Sequence, residues 1–155
     1  MKKVFFVLFV SLLLFFVSDS EANWRSEPPF SFLGMEEETL IEILGDPDKT
    51  SLHNYGGREL WYGKKVFHTV NGKVKNIFLY NGECFLTTIV GENVREWEKE
   101  LGVPIFKGRS IDDELLLYYG WGEEREMERE VEVYIHFKED GTTTSCVILW
   151  KKPTW

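Results

Sequence analysis

Lys65-Val66-Phe67-His68-Thr69-Val70-Asn71-Gly72-Lys73-Val74-Lys75-Asn76-Ile77-Phe78-Leu79-Tyr80 reads as two strands joined by a two-residue turn. Asn-Gly between apolar runs is the strongest short hairpin signal, because both residues tolerate positive φ. The same arrangement returns at Asp140-Gly141, preceded by clean alternation. There Val131, Val133, Ile135 and Phe137 take one face, and Glu132, Tyr134, His136 and Lys138 the other. Asn81-Gly82 is a third such turn, leading into an apolar stretch over 83–90.

Upstream of each hairpin the correspondence continues at one offset of 57 residues. Leu60-Trp61-Tyr62-Gly63 answers to Leu117-Tyr118-Tyr119-Gly120, Leu44-Gly45-Asp46-Pro47 to Leu101-Gly102-Val103-Pro104, and Phe32-Leu33-Gly34 to Ile89-Val90-Gly91. A helix is expected before each Leu-Gly-x-Pro block. Acidic residues (Glu36, Glu37 and Glu38, then Glu92) mark the helix starts, where negative charge meets the positive end of the dipole. Leu40, Ile41 and Leu44 are spaced for one buried face, as are Val94, Trp97 and Leu101. Gly45 and Gly102 stand at the C-cap, and Pro47 and Pro104 bar continuation. The expected fold class is α+β: two tandem repeats, about 30–82 and 83–150, each a short helix followed by an antiparallel β-meander, forming one pseudo-symmetric domain.

The amino end reads as an export signal over residues 1–22. Lys2 and Lys3 precede an apolar run from Val4 to Val17, and Ser18, Ser20 and Ala22 supply small residues for cleavage. Cutting after Ser20 or after Ala22 satisfies the rule, with Ala22 favoured. The apolar run is shorter than the roughly 20 residues a membrane span needs. Residues 23–155 are then a single exported domain, secreted or held in the cell envelope, with no transmembrane span. The formal charge of −8 argues against nucleic acid as a partner.

No catalytic signature stands out, and the chain is expected not to be an enzyme. Gly-x-Ser-x-Gly, phosphate-cradling loops and paired-cysteine redox motifs are absent from the sequence. His53, His68 and His136 form no close-spaced ligand pair, so no metal and no cofactor is expected. Asp112-Asp113-Glu114 is the densest acidic cluster outside the helix starts. It supports an alternative reading as a cell-wall polymer binding protein or hydrolase, since paired carboxylates serve glycoside hydrolysis. Cys84 and Cys146 are the only cysteines. A bridge between them would contribute about 4 kcal/mol through chain entropy, and two separate buried thiols are the other reading.

Binding is the remaining lead. In Leu60-Trp61-Tyr62 and Leu117-Tyr118-Tyr119 only one of each adjacent aromatic pair can face inward. Trp61 and Tyr118 are assigned to the core, with Tyr62 and Tyr119 on the opposite face. Nine residues separate Gly63 from Gly72, whereas 21 separate Gly120 from Gly141. The second copy is thus longer by 12 residues, and the excess centres on Trp121 to Glu130, an interleaved Glu/Arg ribbon. Tyr62, Tyr119, Trp121, Glu123, Arg125 and Arg129 are therefore the binding candidates.

Gly34, Leu44-Gly45-x-Pro47, a Tyr55-containing loop, Glu59-Leu60-Trp61-Tyr62 and Gly72-Lys73-Val74 together resemble the CAP-associated N-terminal domain. That bacterial exported module usually stands ahead of a CAP (cysteine-rich secretory/antigen 5/PR-1) domain and runs through two related halves. The resemblance spans most of the mature chain and brings no catalytic residues with it. The helix, Leu-Gly-x-Pro and following strands are also similar to BamE-type envelope lipoproteins, although no lipidated cysteine is present. The expected function is a non-catalytic binding or interaction module acting at the envelope or outside the cell. Its expected partner is an exported or envelope protein, or a cell-wall component. A small inhibitor or immunity protein is a further alternative.

Overall fold

A computed structural model describes residues 29–54, 56–86, 88–125 and 128–151, with the side chains of Cys84 and of residues 122–129 outside the description. The expected export signal over 1–22 also lies outside it. The chain runs through a 3-10 turn (Phe30–Phe32) and helix α1 (Glu37–Leu44) into strands β1 (Lys49–Leu52), β2 (Arg58–Tyr62), β3 (Lys65–Val70) and β4 (Lys73–Tyr80). Two-residue strands β5 (Cys84–Phe85) and β6 (Thr88–Ile89) form a small ladder ahead of helix α2 (Val94–Leu101). Strands β7 (Phe106–Arg109), β8 (Leu115–Arg125), β9 (Glu128–Phe137) and β10 (Thr143–Trp150) complete the order.

Eight of these strands make one antiparallel sheet in the order β1-β2-β3-β4-β10-β9-β8-β7. This corrects the expected α+β architecture of two tandem helix-plus-meander repeats. The finding that overturns it is the central pairing of β4 with β10, which sets Leu79 against Cys146 and Ile77 against Ile148. Strands that would end two separate meanders instead fuse into a single sheet. The two α-helices among the described residues have only eight residues each, too short to define the architecture.

The turns follow from local chemistry. Asn71 and Gly72 take φ of 51° and 76°, the two positive values that a hairpin of this type needs. Gly45 (φ 85°) closes α1, its N–H donating to the Ile41 carbonyl at 2.8 Å, and Gly102 (φ 79°) closes α2 at Glu98 at 2.9 Å. The Asn93 side chain caps α2 by accepting the Arg95 N–H at 3.0 Å.

Both helices pack on one face of the sheet. Leu60, Phe67, Ile77, Ile148, Val133 and Tyr119 follow one another across six strands and are all buried there. Leu40 of α1 and Trp97 of α2, each fully buried, close the same core. The expected α1 face is narrower than the spacing suggests, because Leu44 stays 39% exposed beside the C-cap. Eight residues of α1 give barely two turns, so one leucine anchors the helix.

Candidate interaction face

The parity that turns Leu60, Phe67 and Tyr119 toward the helices turns their neighbours the other way. On that second face one cross-strand row runs edge to edge: Lys49, Trp61, Val66, Phe78, Val147, Tyr134, Tyr118 and Phe106, each opposite the next. Seven of these eight side chains are apolar or aromatic, and no helix of the described residues lies over them. Alternating strands that place one face on a core normally carry polar residues on the other. An apolar row crossing the whole sheet breaks that rule.

The rings are held in fixed orientations. Trp61 lies parallel to Tyr80 at 6.5 Å between centroids, and the Lys49 ammonium sits 5.4 Å from the Trp61 ring centre. Tyr118 and Tyr134 stack at 5.1 Å. Their hydroxyls donate to the two oxygens of the Glu132 carboxylate, at 3.2 and 2.7 Å. Lys151 Nζ reaches the same carboxylate at 3.2 Å, so buried Glu132 has its charge and its lone pairs met. This network fixes the tyrosine rings, and both are half-buried.

A polar cluster occupies the β1–β4 end of the same face. Ser51 donates to Glu59 at 2.7 Å, and the Trp61 indole N–H reaches both at 3.2 Å. His53 stacks on His68 at 4.1 Å. His68 is buried, with Nε2 at 2.8 Å from the Gly56 carbonyl and Nδ1 at 3.0 Å from the Asn76 amide nitrogen. A carbonyl only accepts and an amide nitrogen only donates, so these partners select neutral imidazole with its proton on Nε2. Burial lowers the His68 pKa below its ordinary 6.5, with the neighbouring His53 adding to the effect and the Gly56 carbonyl opposing it. The unfolded chain therefore takes up a proton near pH 6.5, where folded His68 does not. The stability it contributes is whole above pH 6.5 and is lost as the pH falls below that value toward the folded pKa. Urea unfolding at pH 7.5 and 5.5 should show wild type losing more stability on acidification than His68→Gln. Equal losses would count against this account of His68.

The sequence-based binding candidates stand elsewhere. Tyr119 is 4% exposed on the helix face, its hydroxyl donating to the Gly102 carbonyl at 3.1 Å. Burial, with a smaller contribution from Glu98, pushes its phenol up to about 12. Tyr62 makes the equivalent bond to the Gly45 carbonyl at 2.9 Å. Trp121 is half-buried and packs against the core on the helix face, its ring 5.3 Å from Phe30 and 6.0 Å from Tyr119. The inward assignment of Trp61 and Tyr118 is thus reversed. The outer tyrosines of each pair satisfy their hydroxyls on helix-end carbonyls, which lets an amphipathic ring sit inside. Glu123, Arg125 and Arg129 lie on the β8–β9 ribbon, where Glu124 is opposite Arg129 and Arg125 opposite Glu128; their side chains are outside the described residues.

Asp112, Asp113 and Glu114 are all exposed in the β7–β8 turn. Asp113 faces Arg109 at 3.4 Å, and Glu114 faces His136 Nδ1 at 3.0 Å, beside an open cleft of about 410 Å³. Cys146 is a free, fully buried thiol whose pKa burial raises, while the side chain of Cys84 lies outside the described residues. No helix of the described residues is long and apolar enough to cross a membrane.

No family model and no curated protein matches the sequence. Among solved structures the fold is similar to a cysteine-rich secretory protein of Staphylococcus aureus, with a TM-score of 0.55 and 10% identity over 81% of this chain and 45% of that one. It is also similar to an extracellular protein containing an SCP domain from Bacillus anthracis, with a TM-score of 0.57 and 13% identity over 86% of this chain and 47% of that one. The chain spans less than half the length of either protein, and identities this low show a shared fold alone.

Proposed function

We propose that this chain is a non-catalytic interaction module acting outside the cytoplasm, and that it binds a partner protein through the helix-free face of its sheet. The single observation that carries this reading is the row from Trp61 to Phe106, which leaves an apolar band on the side of the sheet away from the helices. Aromatic bands with a polar rim are the surface chemistry of protein recognition. In this one Phe106 is exposed, Trp61, Phe78, Val147, Tyr134 and Tyr118 are half-buried, and Val66 is buried between them. The polar rim is present in Ser51, Glu59 and His136. Two further points support the reading. The similar folds are parts of longer proteins described as secretory and extracellular, and the quoted motifs resemble the CAP-associated N-terminal domain, itself an exported module.

The same band of rings could stack on sugars, which keeps a cell-wall polymer as the second reading of this face. Incubation with purified cell-wall polymer separates the cases. The proposal expects neither release of soluble fragments nor co-sedimentation. Fragments released by wild type and lost in Glu114→Gln would favour the hydrolase reading, and co-sedimentation lost in Tyr118→Ser would favour polymer binding.

A further inference from the structure

We propose that β7 accepts an extended segment of another protein as a ninth, antiparallel strand, and that this segment starts with lysine or arginine and continues with alternating apolar residues. The proposal goes beyond the aromatic face, with which the β7 edge shares only Phe106.

β7 is an edge of the sheet, paired on one side with β8. An edge strand turns every second backbone N–H and C=O outward, a template for another chain unless it is guarded. The usual guards are charged side chains that project from the edge. On β7 both charges are engaged by the protein's own carboxylates: Lys107 pairs with Glu98 at 2.7 Å, and Arg109 with Asp113 and Glu139. At Gly108 there is no side chain to block an approaching backbone, and a Cβ there would meet the Phe106 ring at 3.1 Å.

The apolar surface concentrates at the same edge. Of nine exposed large hydrophobic residues among those described, four flank or belong to β7: Val103 (93% exposed), Ile105 (56%), Phe106 (44%) and Ile111 (104%). The opposite edge, β1, has one, Leu52, in an otherwise polar strand. Strand addition to β7 would cover alternate apolar residues as it satisfies the backbone.

Charge sets the direction. Asp112, Asp113, Glu114 and Glu139 gather at the carboxyl end of β7, and the cleft there is lined by Asp113, Glu114 and Glu139 against Arg109 and Lys138. Every pair in the large sheet is antiparallel. An added antiparallel strand would bring its amino end to that acidic corner, where a lysine or arginine fits, and would lay its later residues along Phe106, Ile105 and Val103.

The test uses labelled peptides and fluorescence anisotropy with the signal-free protein. A peptide Lys-Lys-Val-Thr-Val-Thr-Val should bind roughly tenfold more tightly than Val-Thr-Val-Thr-Val-Lys-Lys, a difference set by the charge order alone. N-methylation of alternate peptide amides should abolish binding, and Asp113→Lys with Glu114→Lys should erase the preference. Trp61→Ala, at the far end of the sheet, should leave peptide affinity unchanged while testing the aromatic face separately. Absent binding, equal affinity for both peptides, indifference to N-methylation, or a β7-to-β7 dimer of this chain in place of peptide binding would each overturn the proposal.

Discussion

Replacing Trp97 with alanine should cost the fold about 3–5 kcal/mol, the range for truncating a large buried aromatic. For a domain whose total stability falls near 5–15 kcal/mol that is close to unfolding. Trp97 is fully buried, stacks on Phe85 at 5.8 Å, and donates its indole N–H to Thr143 Oγ1 at 3.2 Å. Thr143 is also the point where α2 is tied to the sheet. Its hydroxyl accepts the Gly91 N–H at 2.9 Å and donates to the Glu92 carbonyl at 2.8 Å. The alanine variant therefore opens a cavity beneath α2 and removes one bond from this hub. Trp97→Phe keeps part of the ring contact but loses the hydrogen bond and some buried volume, so it should cost less than the alanine variant, about 1–3 kcal/mol. Thermal unfolding should place the alanine variant on the order of 10 °C below wild type. A drop no larger than that of Trp97→Phe would show that the core does not depend on this side chain.

Local backbone requirements were legible in the sequence, and long-range pairing was not. Asn71-Gly72, Gly45 and Gly102 take positive φ where the turn and cap signals placed them, because each signal lies within a few residues of the structure it makes. The blocks separated by 57 residues also have a physical meaning: Tyr62 bonds the Gly45 carbonyl and Tyr119 the Gly102 carbonyl, each fixing a helix end to the sheet. These matching contacts do not make an α+β tandem, because β4 pairs with β10 and the sheet is continuous. Nothing local to either strand encodes that pairing. Its consequence is the misassigned face. Alternation says that Tyr118 and Tyr119 point oppositely, but only the register Tyr119↔Val133↔Ile148 tells which one meets the helices. The row from Lys49 to Phe106 draws one residue from each of eight strands, so no window of sequence displays it.

The largest functional effect should come from that row. In Phe106→Ser with Tyr118→Ser, two neighbouring rings are removed from the proposed binding face, while Glu132 keeps Tyr134 and Lys151 as partners. Aromatic anchors of an interface each carry about 2 kcal/mol or more, so losing either ring should weaken partner capture by roughly 30-fold and losing both should weaken it further. Both side chains lie outside the buried core, and the double variant should unfold within a few degrees of wild type. Loss of capture together with collapse of the fold would point to a structural role for the row.

The most direct measurement places a photo-crosslinking residue at Val147, in the middle of the row, and in a second protein at Glu42, exposed on α1 across the sheet. Each is exposed to the exported proteins of the source cell and irradiated. The account predicts a discrete protein adduct from Val147, competed away by unlabelled chain and absent from Glu42. Adducts from Glu42 alone, or equally from both positions, would contradict it.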